Sequence, residues 1–467
     1  MAEPHEMAAS ELSRAFHDGE LSPVEVTEAC LARIEALDSE VNAFCMIDAE
    51  TSRAQAQASE KRWAEGDPLS PLDGVPVAIK DLLLTKGWPT RRGSLTVDRK
   101  GPWNEDAPTV ARLHEAGAVF IGKTTTPEFG WKGSTDSPLT GITRNPWNKN
   151  KTPGGSSGGS SAALAARFCP LALGTDGGGS IRIPACFTGT YGLKPSFGRV
   201  AAYPLSPFGT VAHVGPMTRT VRDSAMLMNV ISKPDARDWF NLPYDPTDYA
   251  AELDAPMRGK KIAFSPRLGY AKKVVEDVET LVAAAAKRFE AMGAHVELVD
   301  PPGGNPGEMF QTLWWSGAGY LLGDLPQAQK AQLDPGLRRM ADEGMKIDKK
   351  AYIAANLARG AYGSQMRVFM ERYDFILTPS VATPAFNVGQ LSPLDDDDSA
   401  WLQWTPFSFP FNLTQQPAAS VPCGFTKDGL PVGLQIVGRM FDDMGVLAAS
   451  AAYEAADPHY DKTPPGF

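Results

Sequence analysis

LDGVPVAIKD, residues 72–81, is the point at which the chain changes texture. Before it, the first 65 residues read as helices. Within it, Val75–Ile79 is an apolar strand that ends on Lys80. Working outward, Ala118–Ile121 and Leu171–Leu173 read as further short strands, with helices at Ala111–Ala116 and Ser161–Arg167 between them. That alternation predicts an α/β sheet. Upstream, Ser22-Pro-Val-Glu25 is a capping box with proline at the first helical position; it opens a run from Val26 to Leu37 that aligns Cys30, Ile34 and Leu37. Downstream, Thr220 caps a helix over Val221–Ile231, and a polar stretch rich in Pro and Asp follows over Lys233–Pro256. A strand at Lys261–Ser265, a helix at Val274–Met292 stopped by Gly293, and a strand at Ala294–Val299 form a βαβ-like unit. Later strands are expected at Phe375–Leu377 and Leu434–Val437, and the Asp395–Asp398 run reads as a solvated loop.

The chain has 467 residues, a formal net charge of −10 and 43% hydrophobic residues. This is enough for a sizeable core, in two or three domains or one large one. No internal repeat or linker divides it. An acidic chain is a poor match for phosphate backbones, so no nucleic-acid partner is expected. No run of about 18 apolar residues occurs, so no membrane span is expected. MAEPHEMAASELSRAF lacks the layout of a secretory signal, and the expected location is cytoplasmic. Five scattered cysteines, Cys30, Cys45, Cys169, Cys186 and Cys423, contain no CxxC spacing and read as small buried thiols in a reducing compartment. The six histidines never fall within four residues of one another, so no metal site is expected.

Two Gly/Ser-rich segments stand out, PGGSSGGSSAALAA at 153–166 and GTDGGGSIRIPA at 174–185. Neither is a nucleotide-binding P-loop, since G-x-x-x-x-G-K-[ST] is absent. The first contains G-x-S-x-G through Ser156 and again through Ser157, the layout of an α/β-hydrolase nucleophile elbow. That Ser-His-Asp reading needs a downstream histidine, and His213, His295 and His459 sit in no distinctive motif. Lys80 offers a different base. It follows an apolar run, where desolvation disfavours the ammonium form and makes a neutral amine available to take a proton.

Together the three segments resemble the amidase signature family: GVPVAIKD around the lysine, PGGSSGGS around one serine and GTDGGGSIRIPA around another. The likeness continues through GTYGLKPSFGRV at 189–200 and LPVGLQIVG at 430–438. The resemblance implies an α/β fold with a large mixed central β-sheet covered on both faces by helices, in a single large domain. Within it, residues 1–70 would be N-terminal helices packed on the core, 71–235 the core with the triad, and 236–467 a variable half lining the pocket. It further implies a Ser-Ser-Lys triad in which Ser180 is acylated, Ser156 bridges through a cis peptide, and Lys80 is the base. The spacing to Ser180 favours Ser156 over Ser157. Gly177, Gly178 and Gly179 would form the oxyanion hole. Asp176 and Arg182, flanking that loop, are expected to fix its shape.

FGWKGSTDS at 129–137 lies between lysine and first serine in the family, so Trp131 is expected at the substrate. Trp314, Trp315 and the aromatic run from Trp401 to Phe411 are read as an apolar acyl or aryl pocket. After FNLT at 411–414 the family commonly has glycine, and this chain has Gln415, expected to project toward the cleft. The implied function is a cytoplasmic, cofactor-free amidohydrolase acting on a small amide, anilide or carbamate through an acyl-enzyme, with esters as side substrates. A homodimer is compatible with this reading. The alternatives are the glutaminase component (the A subunit) of a tRNA-dependent amidotransferase and, more remotely, the Ser-His-Asp hydrolase. The intact Lys80, Ser156 and Ser180 oppose a catalytically silent scaffold.

Overall fold

The computed structural model describes residues 3–393 and 401–467, so the Asp395–Asp398 run lies outside the described residues. The capping box forms as read: Ser22 Oγ accepts the Glu25 N–H at 3.2 Å and the Glu25 carboxylate accepts the Ser22 N–H at 2.8 Å. The helix it starts, Pro23–Val41, buries Cys30 and Ile34 and ends on Asn42 in the left-handed region.

The strands are β1 (Phe44–Ile47), β2 (Pro76–Lys80), β3 (Val119–Thr124), β4 (Asp136–Ser137), β5 (Gly141–Ile142), β6 (Leu171–Asp176) and β7 (Tyr191–Lys194). They continue with β8 (His213–Thr218), β9 (Lys261–Phe264), β10 (His295–Leu298), β11 (Phe375–Pro379), β12 (Ala418–Phe425) and β13 (Pro431–Gly438). All but the β4–β5 pair join one mixed, 11-stranded sheet in the order β1-β3-β2-β6-β8-β7-β12-β13-β11-β9-β10. β2 runs parallel to both β3 and β6, and β9 parallel to both β10 and β11, while the centre from β6 to β11 is antiparallel. Every residue of β2, β3, β8 and β13 is buried, which requires helices on both faces. Helix Gly158–Ala165 packs on β2 and β6, and helix Asp443–Ala456 packs on β12 and β13. The fold is a single α/β domain. One apolar cluster runs from Ala9 to Tyr453 through the sheet; a second lies under the helices of residues 307–370.

The strand–helix–strand unit of β9, helix Glu276–Ala291 and β10 forms as the sequence implies. Several strands escape a local reading. β1 interrupts the helical N-terminus as a four-residue edge strand whose pairing to β3 shifts register. β8 contains His213, Gly215 and Pro216, and β12 carries Pro422 and a register shift before Gly424. Gly and Pro depress strand propensity, so pairing with neighbours decides these segments. Four of the five cysteines are buried as expected; Cys45, on the edge strand β1, is exposed. Among the described residues no helix is long and apolar enough to cross a membrane.

Candidate active site

Lys80 ends β2, and the fully buried strand carries its side chain into the interior, where it has no solvent exposure. Its Nζ lies 2.7 Å from Ser156 Oγ, 2.8 Å from Ser157 Oγ and 2.9 Å from Thr175 Oγ1. Burial pushes its pKa well below the ordinary lysine value, opposed in part by the negative charge of Asp176. Burial therefore shifts Lys80 toward the neutral amine, the form able to accept a proton. The two serines differ. Ser156 follows a cis peptide from Gly155 and lines a cavity. Ser157 is turned to β6, its Oγ donating to the Thr175 carbonyl and accepting the Thr175 N–H, both at 3.2 Å. The glycines here serve close packing: a Cβ on Gly155 would sit 2.6 Å from the Ser134 carbonyl, and one on Gly158 would collide with Thr135 Oγ1.

β6 ends at Asp176, and Gly177–Ser180 then turns into helix Arg182–Thr188. The loop is held by a buried ion pair, with Arg182 Nη2 and Nε each 2.9 Å from the Asp176 carboxylate. Burial alone would raise the Asp176 pKa; Arg182, together with Lys194 and Asn412, outweighs it and holds the carboxyl well below the usual range. Arg182 also donates to the Ser408 carbonyl at 2.9 Å, Gln435 Oε1 at 2.7 Å and Asn412 Oδ1 at 2.7 Å, while Asn412 Nδ2 donates back to Asp176 Oδ1 at 2.9 Å. These bonds put Asp176 and Arg182 in a position to fix the loop's shape. A Cβ on Gly177 would lie 2.7 Å from Trp314, and one on Gly178 2.8 Å from Phe310, so only glycine fits. The three glycines are not equivalent as donors. Gly179 N–H is spent on Asp176 Oδ1 at 2.7 Å, which removes it from the expected oxyanion set. Among the described residues, no protein acceptor takes the N–H of Gly177, Gly178 or Ser180.

Ser156, Thr175, Gly177 and Ser180 line a cavity of about 170 Å³ whose walls include Leu82, Phe129, Phe208, Phe240 and Trp314. Trp314 stacks on Phe208 with ring centroids 3.9 Å apart, and its indole N–H donates to the Trp131 carbonyl at 3.3 Å. Trp131, Trp315 and Gln415, by contrast, are absent from the lining. Trp131 is buried against Gly336, where an added Cβ would approach it to 2.5 Å, and Trp315 is partly buried on the apolar cluster outside the cavity. Gln415 Nε2 donates to the Thr210 carbonyl at 3.0 Å, turning the side chain onto a neighbouring loop. Its φ of 66° is a left-handed conformation that glycine adopts more freely. Trp404, Phe407, Phe409 and Phe411 are core residues; Trp404 stacks on Phe187 at 5.7 Å. His213 lines the cavity, but its Nδ1 faces the carbonyls of Val211 at 2.7 Å and Asp176 at 3.2 Å, and among the described residues no carboxylate is bonded to it to orient it as a Ser-His-Asp base. Among the described residues, no three His, Cys, Asp or Glu side chains gather as a metal site.

A family model described as Amidase matches residues 25–447. The chain belongs to the amidase signature family. An acylamidase of Rhodococcus erythropolis is 36% identical over 98% of this chain and 97% of its own length. The A subunit of the glutamyl-tRNA(Gln) amidotransferase of Chloroflexus aggregans is 37% identical over 99% of both. A bacterial aryl acylamidase structure of the amidase signature family superposes with a TM-score of 0.93 at 32% identity, over 100% of both chains. This amidase is accordingly an amide-hydrolysing enzyme. The sequence motifs single out Lys80, Ser156 and Ser180 but not Thr175, Asn412 or Gln435. All three lie inside recognisable motifs; Thr175 and Asn412 stand beside residues with more obvious chemistry, and Gln435 meets Arg182 only across the sheet.

Proposed function

We propose that this amidase is a free-standing hydrolase of small apolar carboxamides (anilides, other secondary amides and carbamates), with esters as side substrates, working through an acyl-enzyme on Ser180. The observation that carries the reading is a buried Lys80 amine bonded to Ser156, with Ser156 and Ser180 lining one largely apolar cavity. In this mechanism Ser180 Oγ attacks the amide carbonyl carbon while its proton passes to Ser156 Oγ, whose own proton passes to Lys80 Nζ. The carbonyl electron pair moves onto oxygen, and the N–H groups of Gly177, Gly178 and Ser180 are the donors assigned to that oxyanion. Collapse breaks the C–N bond, and the departing amine takes a proton returned from Lys80 through Ser156. Water then attacks the acyl ester by the same relay and releases a carboxylic acid.

A panel of anilides, primary amides, carbamates and esters tests this, with a fluorophosphonate to trap the nucleophile. Turnover of anilides by the isolated chain, and labelling lost in Ser180→Ala, are expected. Labelling at Ser156 or Ser157 instead would mean a different nucleophile. The amidotransferase relatives keep one second reading, a glutaminase subunit. Hydrolysis restricted to glutamine, together with a co-purifying partner protein, would replace the first.

A further inference from the structure

Arg92 is a cavity residue without an assigned task. It lines the same cavity as Ser156 and Ser180, is partly exposed there, and its guanidinium has no hydrogen bond or ion pair among the described residues. Its position is fixed from two sides. The N–H groups of Arg91 and Gly93 donate to the Asp81 carboxylate at 3.2 and 3.3 Å, and the Arg92 carbonyl accepts the Phe129 N–H at 2.8 Å. The next residue, Gly130, abuts the triad: an added Cβ would lie 3.2 Å from Ser156 Oγ. Arg92 thus stands one backbone hydrogen bond and one residue from the reacting groups.

The surrounding carboxylates have other work, Asp176 of the lining being paired with Arg182. Asp81 faces Lys123 at 3.9 Å and accepts the turn amides, so its charge is already engaged. Asp238, also in the lining, accepts the Ala202 N–H at 2.8 Å and the Phe240 N–H at 2.9 Å. Arg92 also has φ 58°, a left-handed conformation that strains a side-chain-bearing residue and that glycine adopts freely. A bulky cation at such a position, in a wall otherwise rich in Leu and Phe, needs a reason beyond packing. A planar guanidinium matches a carboxylate through two parallel hydrogen bonds.

We infer that Arg92 anchors a carboxylate carried by the substrate, so that the preferred substrates are apolar amides with one anionic end. The inference rests on the amidohydrolase reading for the word substrate, and its test does not need turnover. Calorimetric titration of Ser180→Ala uses two matched pairs, 4-acetamidobenzoate against 4-methylacetanilide and succinanilate against butyranilide. The first pair places the carboxylate on the amine side of the scissile bond, the second on the acyl side. At least tenfold tighter binding of the carboxylated member in one pair is expected, falling as salt is raised. That gain is lost when Arg92→Met is added, lost equally with Arg92→Gly, which suits the backbone, and partly retained with Arg92→Lys. Equal affinity within both pairs overturns the inference. So does an equal loss for neutral and carboxylated members on Arg92→Met, which would make the guanidinium a packing or ring-stacking group. Wild-type kinetics on the same four compounds test the hydrolase reading separately. Carboxylate-selective binding with hydrolysis of none of the four, or Arg92-dependent hydrolysis of glutamine alone, upholds the anionic contact and overturns the anilide-hydrolase reading.

Discussion

At Lys80, three hydroxyls within 2.9 Å replace the water that would otherwise hold an ammonium ion, and none of them carries a compensating charge. The depressed pKa follows from that burial, and it has two measurable consequences. Between the native and the unfolded pKa the unfolded chain binds the extra proton, so stability rises with pH through that window, up to the ordinary value of 10.5. Lys80→Met removes the difference. In urea titrations it should gain stability relative to wild type as pH is lowered, and the gap should close toward alkaline pH. For rates, an amine must be protonated before it leaves and an alkoxide needs less help. Lys80→Ala should therefore slow a matched amide more than its ester, with residual ester hydrolysis rising with pH; equal losses would mean that Lys80 does not move the proton. Gln415 illustrates the opposite case of a residue outside the cavity. Gln415→Gly removes one hydrogen bond to Thr210, worth about 0.5–1.5 kcal/mol, and relieves a left-handed backbone by a similar amount. Substrate ranking should stay unchanged and stability should move by less than about 1 kcal/mol, read by kinetics on the ester and anilide panel and by a urea melt.

The element that matters most is the loop from Asp176 to Arg182. Its three glycines lie against Trp314, Phe310 and Ser408, and its backbone would have little to hold it without the buried ion pair. Asp176→Asn keeps the size of the side chain but leaves Arg182 buried without its counter-charge, a loss of about 3–5 kcal/mol. The expected result is a lower urea midpoint together with a fall in kcat, because the amides of Gly177 and Gly178 lose their support. The carboxyl's lowered pKa also sets a sign in acid. Its contribution is complete above the unfolded value of about 3.9 and drains away as pH falls toward the native one. Wild type should thus lose stability below about pH 4 more steeply than Asp176→Asn.

Across the whole molecule, the sheet joins the two apolar clusters, and the site sits where they meet. Lys80 and the serine loops come from the first half of the chain, Trp314, Ser408, Asn412 and Gln435 from the second. Trp404, fully buried between Phe187, Phe386 and Gly133, ties the second half to the first. Trp404→Ala should cost about 3–5 kcal/mol. It should unfold the protein in one cooperative step at lower urea, since a single domain offers no independent unit to survive. Two separated transitions by tryptophan fluorescence and circular dichroism would contradict that coupling.

The sequence alone determined what depends on neighbours along the chain. The Ser22 capping box, the buried run ending at Lys80, the βαβ-like unit and the Gly/Ser loops that hold Ser156 and Ser180 all carry their cause within a few residues. Tertiary structure decided whatever depends on approach across the fold. β8 and β12 are strands in spite of their glycines and prolines because flanking strands pair with them. Gly179 is withdrawn as a donor because Asp176 folds back onto its N–H, a contact that residue spacing does not reveal. Trp314 faces the cavity while Trp315 does not, since a helix turns successive side chains about 100° apart and packing selects which side is covered. Arg92 acquires its meaning in the same way: a surface-type residue by composition, it becomes a cavity cation only because a turn around Asp81 and the Phe129 amide place it in the cavity that Ser156 also lines.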